Sequence, residues 1–259
     1  MKAADLFNLQ GHVALVTGAS SGLGQQFARA LADNGAAVAL VARRTDRLAA
    51  FRNEIEGKGG RAIAVEADVT DRAAMRRAFD AAEQAFGTVT ILVNNAGIAQ
   101  SARRAVEVTE EEWRTVLSVD VDAVFYNAQE AARRMLAADK KGAIINIASV
   151  LGFGVSKGVA AYATAKAAVV QITKALGVEL AFKGVRVNAI APGWFVTEIN
   201  DKYLAGEAGD ALKRQIPMGR FGEEGDLDGA LLLLVSDAGR FIAGTTIVVD
   251  GGQMVALRG

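Results

Sequence analysis

Three residues near the middle of the chain, Tyr162, Lys166 and Ser149, have side chains that together could move a proton at an oxygen atom. Tyr162 and Lys166 are four residues apart in a segment rich in Ala and Val, and a helix would place both on one face. An ammonium group favours the phenolate of a nearby phenol, and such a tyrosine can exchange a proton with an alcohol or carbonyl oxygen. Ser149 ends the apolar run at 143–149, so its hydroxyl could hold the same oxygen. A core tyrosine beside a solvated lysine on an ordinary helix would give the same pattern.

The composition argues against several other kinds of active site. The 259 residues include no cysteine, which excludes a disulfide framework, a thiolate metal site and a cysteine nucleophile. A single histidine, His12, argues against a zinc enzyme and a Ser-His-Asp triad. We therefore predict no metal, and we expect His12 to be structural or exposed.

Charge and hydropathy limit the partners and the location of the protein. The 29 basic and 29 acidic residues give a formal net charge of zero, which gives no indication of a nucleic-acid partner. No apolar run reaches the roughly 18 residues of a membrane span, and the N-terminal sequence is too polar for a secretory signal. The prediction is a cytoplasmic protein that binds a small molecule and neither nucleic acid nor a membrane.

Apolar runs alternate with helical patterns along the whole chain. We predict strands at 12–19, 37–42, 61–69, 90–97, 143–149, 185–193 and 245–252, and helices at 20–36, 45–58, 71–86, 109–138, 158–180 and 225–237. Continuous apolar strands that alternate with helices are typical of a parallel sheet covered on both faces. The fold class predicted is therefore α/β, a single doubly wound parallel seven-stranded sheet with helices on both faces, in one domain over residues 1–259.

The residues that could do chemistry follow the ends of these strands. In a doubly wound sheet, ligands bind beyond the carboxyl ends of the strands. The positions concerned are 18–24, Arg43, Asp68, 94–97, Ser149 and 192–193. Because parallel strands end at the same edge, this placement favours a functional site over the purely structural interpretation.

The glycine-rich turn TGASSGLG, residues 17–24, lies between the first strand and its helix. Glycine permits backbone conformations and close approaches that a Cβ atom would block, and amides at a helix start can hold a pyrophosphate. The pattern favours dinucleotide binding over a simple tight connection. The residues predicted to bind the dinucleotide here are Gly18, Ser20, Ser21, Gly22, Leu23 and Gly24.

The end of the second strand indicates which dinucleotide is bound. A carboxylate there would bind the ribose 2′-hydroxyl of NAD, but this chain has Arg43 and Arg44. A guanidinium group suits a 2′-phosphate, so we predict NADP(H) over NAD(H). Ser20 and Ser21 stand where a second basic residue could have helped to bind the 2′-phosphate, so the preference for NADP(H) is expected to be partial. The alternative is that both arginines are solvated surface charges.

Several motifs in a fixed order resemble the short-chain dehydrogenase/reductase family. They are TGASSGLG at 17–24, Asp68 with Val69, NNAG at 94–97, Ser149, YATAK at 162–166, and Pro192 and Gly193 followed by Thr197. The resemblance covers the chain from about His12 to Gly252. It implies a Rossmann fold and a homotetramer in which long helices pack in pairs, matched here by 109–138 and 158–180.

The resemblance also implies a role for each motif. Tyr162 would be the general acid/base, Lys166 would bind the nicotinamide ribose and favour the phenolate, and Ser149 would orient the substrate oxygen. The residues implied in cofactor binding, besides Tyr162, Lys166 and the glycine-rich turn, are Asp68 and Val69 near the adenine, Asn95, Ala96 and Gly97 near the adenosine and ribose, and Pro192, Gly193, Phe195 and Thr197 at the nicotinamide end.

One position departs from the family pattern. Asp120 stands seven residues after Trp113, where the family usually has an Asn whose main-chain carbonyl holds the water of a proton relay. Three interpretations remain open: a tolerated replacement, a slowed relay, or an altered pH optimum. We favour the first, and we include Asp120 among the catalytic candidates.

The substrate is predicted less sharply than the reaction. Leu151, Phe153, Val155 and Val159 would give a mainly apolar pocket, which favours a ketone or β-keto ester over a hydroxylated sugar. Substrate contacts are expected from Ser149, Leu151, Tyr162 and Trp194, under a mobile lid at about 193–220 that includes Ile199 and Tyr203.

The predicted function is hydride transfer between NADP(H) and a ketone or secondary alcohol by an oxidoreductase of the carbonyl reductase or alcohol dehydrogenase type. The alternatives are an NAD-linked sugar or polyol dehydrogenase, a 3-oxoacyl reductase, and a dinucleotide-binding regulator without turnover.

Overall fold

Continuous apolar runs form one parallel sheet in the computed structural model, which describes residues 2–100, 102–198 and 201–256. Its strands are β1 (Val13–Thr17), β2 (Ala37–Ala42), β3 (Arg61–Glu66), β4 (Ile91–Asn94), β5 (Gly142–Ile147), β6 (Val185–Pro192) and β7 (Thr246–Val249). All six neighbouring pairs are parallel, and the order is β3-β2-β1-β4-β5-β6-β7.

Helices cover both faces of this sheet. They are α1 (Ala3–Leu6), α2 (Gly22–Asp33), α3 (Thr45–Gly57), α4 (Arg72–Phe86), α5 (Glu110–Leu117), α6 (Ala123–Ala137), α7 (Ala160–Leu180), α8 (Asp201–Leu204), α9 (Glu207–Lys213) and α10 (Asp228–Val235).

The two faces of β1 contribute to separate cores. Val16 shares one buried cluster with Phe27 of α2, whereas Leu15 shares another with Phe79 of α4 and Met135 of α6. This division follows from the alternation of side chains along a strand, and it puts helices on opposite faces. The predicted doubly wound α/β sheet of seven parallel strands is confirmed.

Some predicted boundaries were wrong. The helix expected at 109–138 is two α-helices, α5 and α6, joined by one π-helical turn at Ser118–Asp122, and the turn carries Asp120. The strand expected at 61–69 ends at Glu66, and the one expected at 245–252 ends at Val249. The apolar pattern indicates the strands but does not show where the backbone leaves the sheet.

The strand order changes direction at β1: β2 and β3 are added on one side of it, and β4 to β7 on the other. This strand pairs with β2 on one side and with β4 on the other, which makes the carboxyl ends of β1 and β4 the topological switch point. A ligand crevice is expected at this point, and the glycine-rich turn after β1 adjoins the NNAG loop after β4.

The segment between β6 and α10 forms a small apolar cluster of its own. Leu204, Ile216 and Phe221 are buried there, and Trp194 and Leu212 pack against them. Ile199 and the side chain of Tyr203 lie outside the described residues. Among the residues that the structure describes, no helix is both long and apolar enough to cross a membrane.

Candidate active site

The glycine-rich turn and the NNAG loop are tied together by Thr17, the last residue of β1. The Thr17 hydroxyl accepts hydrogen bonds from the amides of Asn95 and Ala96, both at 3.0 Å. The Asn95 side chain donates in return to the Thr17 carbonyl at 2.9 Å. These bonds fix the two loops at the switch point, where the sheet topology places a ligand crevice.

Two glycines in the turn are required by close packing. Gly18 has a φ of +67°, and a Cβ there would lie 2.8 Å from the Asn95 amide nitrogen. A Cβ at Gly24 would lie 2.6 Å from the same nitrogen. A side chain at either position would collide with the NNAG loop, so this turn, which we call the cradle, is kept bare of side chains there.

The start of α2 leaves main-chain amides facing this cradle. Gly22 begins the helix with a φ of +55°, and a Cβ there would lie 3.4 Å from the methyl group of Thr197. Ser21, at the N-cap, makes no side-chain capping bond, so its hydroxyl is available to other groups. Leu23 instead packs its side chain against the core, which leaves only its main chain for a ligand.

Arg44 connects the second strand to the glycine-rich turn. Its guanidinium donates to the Ser20 hydroxyl at 3.1 and 2.9 Å and to the Ser21 hydroxyl at 2.5 Å. Arg43 points outward with 74% of its side chain exposed, and it lies 3.8 Å from an Asp68 carboxylate oxygen. The two serines therefore hold Arg44 in place, a role that sequence reasoning did not assign to them.

Asp68 and Val69 follow β3, which lies next to β2 in the sheet. The Asp68 carboxylate accepts bonds from the Thr70 amide at 2.9 Å and from its hydroxyl at 2.7 Å. Both bonds lower the pKa of Asp68, the bond from the amide more than the bond from the hydroxyl, whereas partial burial of the carboxylate acts in the opposite direction. Val69 and Ala96 line one small cavity together with Val119.

Lys166 connects α7 to the end of β5, close to Ser149 in the chain. Lys166 is 5% exposed, and its ammonium donates to the Ile147 carbonyl at 3.0 Å, two residues before Ser149. The same nitrogen lies 5.4 Å from the centre of the Tyr162 ring. The Ser149 hydroxyl accepts from the Leu151 amide at 3.1 Å. A Cβ at Gly152 would lie 2.8 Å from the Lys166 carbonyl, so this loop packs directly on the helix.

Asp120 is the charged neighbour of Lys166. It is 0% exposed, and one carboxyl oxygen accepts from the Ile98 amide at 3.1 Å and lies 4.0 Å from the Lys166 ammonium. The other oxygen has no hydrogen-bond partner among the described residues. Burial raises the pKa of Asp120, while the Lys166 charge and the Ile98 amide oppose that rise. A Cβ at Gly97 would lie 2.7 Å from the bonded oxygen, so only glycine fits there.

Gln100 caps the helix that carries Tyr162 and Lys166. Its side-chain oxygen accepts from the amides of Ala161 at 3.0 Å and Tyr162 at 3.2 Å. Val159, at the N-cap of α7, offers no side-chain bond, so the cap comes from a loop 61 residues earlier in the chain. Sequence reasoning missed Gln100 because capping signals are sought next to the helix.

The candidates at the nicotinamide end follow β6. The Gly193 amide donates to the Val249 carbonyl at 2.9 Å, and Pro192 closes the strand. Phe195 is buried with its ring against Gly222, where a Cβ would not fit. Trp194 packs on the apolar cluster of the segment after β6.

The turn after β7, residues 250–254, borders the same cleft, and sequence reasoning missed it. The two Asp250 carboxylate oxygens accept from the amides of Gly252 at 2.8 Å and Met254 at 2.7 Å. The Met254 methyl group lies 3.6 Å from the place of a Cβ on Gly154, in the loop that follows Ser149. The Gly251 carbonyl accepts from the Met218 amide at 3.2 Å. The turn therefore joins the Ser149 loop to the segment after β6.

Comparison with known proteins gives the class of the chain. Residues 18–254 match the family model described as enoyl-(acyl carrier protein) reductase. Gluconate 5-dehydrogenase of Gluconobacter oxydans is 38% identical over 258 residues, which cover 99% of this chain and 100% of the relative. The 3-oxoacyl-acyl-carrier-protein reductase FabG of Staphylococcus aureus is 38% identical over 241 residues, which cover 93% of this chain and 97% of the relative.

A solved structure agrees with these likenesses. The gluconate 5-dehydrogenase from Burkholderia cenocepacia J2315 in complex with NADP and tartrate has a TM-score of 0.93 to this chain at 36% identity, and the match covers 99% of this chain and 100% of that one. The chain belongs to the short-chain dehydrogenase/reductase family, as its ordered motifs predict.

Proposed function

We propose that this oxidoreductase transfers a hydride between NADP(H) and a ketone or secondary alcohol, with Tyr162 as the general acid/base. The observation that carries the proposal is the place of Lys166. Its buried ammonium is bonded to the end of β5 beside Ser149 and lies 5.4 Å from the Tyr162 ring. A phenol, a hydroxyl and a cation at the carboxyl edge of the sheet can hold a substrate oxygen and exchange its proton.

The chain's residues fit the dinucleotide. The cradle at Gly18 and Gly24 has no room for side chains, the start of α2 presents amides for a pyrophosphate, and Arg44 and Arg43 suit a 2′-phosphate. Asp68, Val69 and the NNAG loop would hold the adenosine side. Pro192, Gly193, Phe195 and Thr197 would hold the nicotinamide side. When bound, NADP(H) supplies or accepts the hydride, and the chain supplies alignment and the proton.

The chain's own groups divide the proton chemistry among them. During reduction, Ser149 and Tyr162 hydrogen-bond the carbonyl oxygen, and Tyr162 gives it a proton; oxidation reverses this. Lys166 stabilises the phenolate that forms and binds the nicotinamide ribose. Asp120 accepts from the Ile98 amide and lies next to Lys166, so it steadies both the loop and the cation. This support is a positioning role that an Asn could share, because its side-chain oxygen can accept the same bond.

The walls of the cleft favour an apolar substrate. Phe153 is half exposed, and Leu151 lies two residues before it. Met254, in the turn after β7, lies close to Gly154. Trp194 belongs to the segment 193–220, which we propose as a lid that excludes water during hydride transfer. A ketone or β-keto ester is therefore the proposed substrate class.

The experiment that tests the function is a substrate panel with Tyr162→Phe. Removing the phenolic proton donor should lower kcat about 10²- to 10⁴-fold. The cofactor affinity, measured by calorimetry, should stay close to that of the wild type. Tyr126→Phe is the matched control, because Tyr126 is an exposed residue of α6 whose ring lies against Arg72. Near-normal turnover of Tyr162→Phe would contradict the mechanism. Tight NADPH binding without reduction of any ketone, and so without oxidation of NADPH, would support the non-catalytic alternative.

A second candidate function is a sugar-acid or polyol dehydrogenase on the same scaffold. The relatives favour it, since one is a gluconate 5-dehydrogenase and another was solved with NADP and tartrate. The FabG likeness favours the 3-oxoacyl reductase alternative instead. Turnover of 5-ketogluconate, β-keto esters and simple ketones, each with both cofactors, separates these candidates.

The proposal extends to the assembly, the domain and the location. A homotetramer is supported by apolar side chains exposed away from the cleft, which include Val178 and Phe182 near the end of α7 and Phe241 before β7. Residues 1–259 are proposed as one domain. The carbonyl reductase type and the cytoplasmic location stay predictions from the sequence.

A further inference from the structure

A carboxylate from the segment after β6 reaches the arginines that we assign to the 2′-phosphate. Glu198 is hydrogen-bonded to Arg47 and lies 4.0 Å from the nearest guanidinium nitrogen of Arg44. Arg47 belongs to the first turn of α3, whose N-cap is Arg44. Neither Glu198 nor Arg47 was singled out in the sequence.

The surroundings of Glu198 are those of an anion site. The side chain of Arg44 is fixed by the hydroxyls of Ser20 and Ser21, and the 13-residue helix α3 begins here, with its positive end toward the cluster. The carboxylate therefore sits where these groups would bind a phosphate. Two anions at one arginine repel each other, so each one weakens the binding of the other.

Glu198 is also connected to the floor of the cofactor cradle. The preceding residue, Thr197, has its methyl group 3.4 Å from the place of a Cβ on Gly22, the first residue of α2. The Glu198–Arg47 contact therefore helps to hold the segment after β6 against the glycine-rich turn. A group that displaces Glu198 from the arginines would loosen this contact, whereas a cofactor without a 2′-phosphate would leave it in place.

We propose that Glu198 is a specificity-determining residue that competes with the cofactor 2′-phosphate for Arg44 and Arg47 and so limits the preference for NADP(H) over NAD(H). This proposal rests on the proposed function, because it needs the dinucleotide to bind at Arg44. It assigns a residue of the segment 193–220 to cofactor choice, and it gives a physical reason for the partial preference for NADP(H) that the sequence predicts.

The test is the affinity of Glu198→Gln for NADP⁺ and NAD⁺, measured by calorimetry without substrate. Both partners of the Glu198–Arg47 pair are partly exposed, and such pairs are weak. The dissociation constant for NADP⁺ should therefore fall about two- to fivefold, while that for NAD⁺ stays unchanged. Glu110→Gln is the matched control, because it removes the same charge from an exposed Glu–Arg pair on α5.

A second variant separates competition from a tethering role. In a background that carries both Arg44→Met and Arg47→Met, the effect of Glu198→Gln on NADP⁺ affinity should shrink toward none, since both shared partners are gone. Equal loss of affinity for both cofactors in Glu198→Gln would show a tether and overturn the proposal. Unchanged affinity for both would overturn it as well. Failure of the wild type to bind either cofactor would contradict the proposed function instead.

Discussion

At the residue scale, the unusual group is the carboxyl of Asp120, a fully buried acid beside a buried lysine. One oxygen is bonded to the Ile98 amide, and the other has no hydrogen-bond partner among the described residues. An ionised carboxylate in such a place loses hydration that one cation at 4.0 Å only partly replaces. The family resemblance implies Asn at this position, and an Asn would carry no such cost.

This cost leads to a prediction about stability and pH. Because burial raises the pKa of Asp120, the folded state holds that proton more tightly than the unfolded state. The free energy of unfolding therefore falls as pH rises from the ordinary carboxyl pKa through the raised one. Asp120→Asn has no carboxyl group to deprotonate, so its free energy of unfolding does not fall in this way. At pH 8 its Tm should exceed that of the wild type by about 2 to 4 °C for each 1 kcal/mol by which its free energy of unfolding is higher.

The measurement is thermal unfolding by circular dichroism from pH 4 to pH 8. The difference in Tm between Asp120→Asn and the wild type should shrink as the pH falls through the raised pKa of Asp120, because the wild-type carboxyl then takes up its proton. Asp122→Asn is the control, since Asp122 is an exposed residue on the same π-helical turn. A lower Tm for Asp120→Asn at every pH would show instead that the ion pair with Lys166 stabilises the fold.

At the scale of elements, the catalytic helix α7 depends on a cap from a distant loop. The cap formed by Gln100 orders the turn that carries Tyr162. Gln100→Met removes the acceptor and should lower the free energy of unfolding by about 1 kcal/mol. It should also lower kcat about three- to tenfold, with cofactor affinity unchanged.

The Gln100 prediction is checked by kinetics and denaturant unfolding of two further variants. Gln100→Glu keeps an oxygen acceptor at the positive end of the helix and should restore most of kcat. Gln171→Met changes an exposed residue of the same helix and should leave kcat unchanged. If Gln100→Met loses stability but keeps full kcat, the cap does not position Tyr162.

The helices and strands differ in how well the sequence alone predicts them. Inner strands such as β1 and β2 were predictable because they are buried along their whole length and are almost entirely apolar. The π-helical turn at Asp120 was not, because its residues are compatible with an α-helix and only the packing shows the extra residue. Residues at strand ends, such as Ser149 and Arg44, could be placed at the site from topology alone.

The contacts missed from the sequence share a physical reason. Gln100, Glu198 and Asp250 act through partners that loops bring together in space, and loops carry no periodic pattern that would reveal them. The Glu198–Arg47 contact joins residues 151 positions apart. Such pairs depend on how loops lie over the sheet edge, which the local sequence does not indicate.

At the scale of the whole molecule, the last prediction concerns the proposed tetramer. β7 is an edge strand of the sheet, Phe241 is fully exposed just before it, and Val248 of the strand is 39% exposed. A fully exposed aromatic ring and an unpaired sheet edge are each typical of a surface covered by another chain. Phe241→Asp would place a charge in that contact, where it could not be buried without a large cost.

Multi-angle light scattering should therefore give a lower molar mass for Phe241→Asp than for the wild type at the same concentration. Val106→Asp is the control, because Val106 is equally exposed but lies between charged residues on a short turn before α5. The helical interface expected from 109–138 and 158–180 is untouched, so a tetramer should separate into dimers rather than monomers. A wild-type mass equal to one chain would refute the tetramer, and an unchanged mass for Phe241→Asp would place the interface elsewhere.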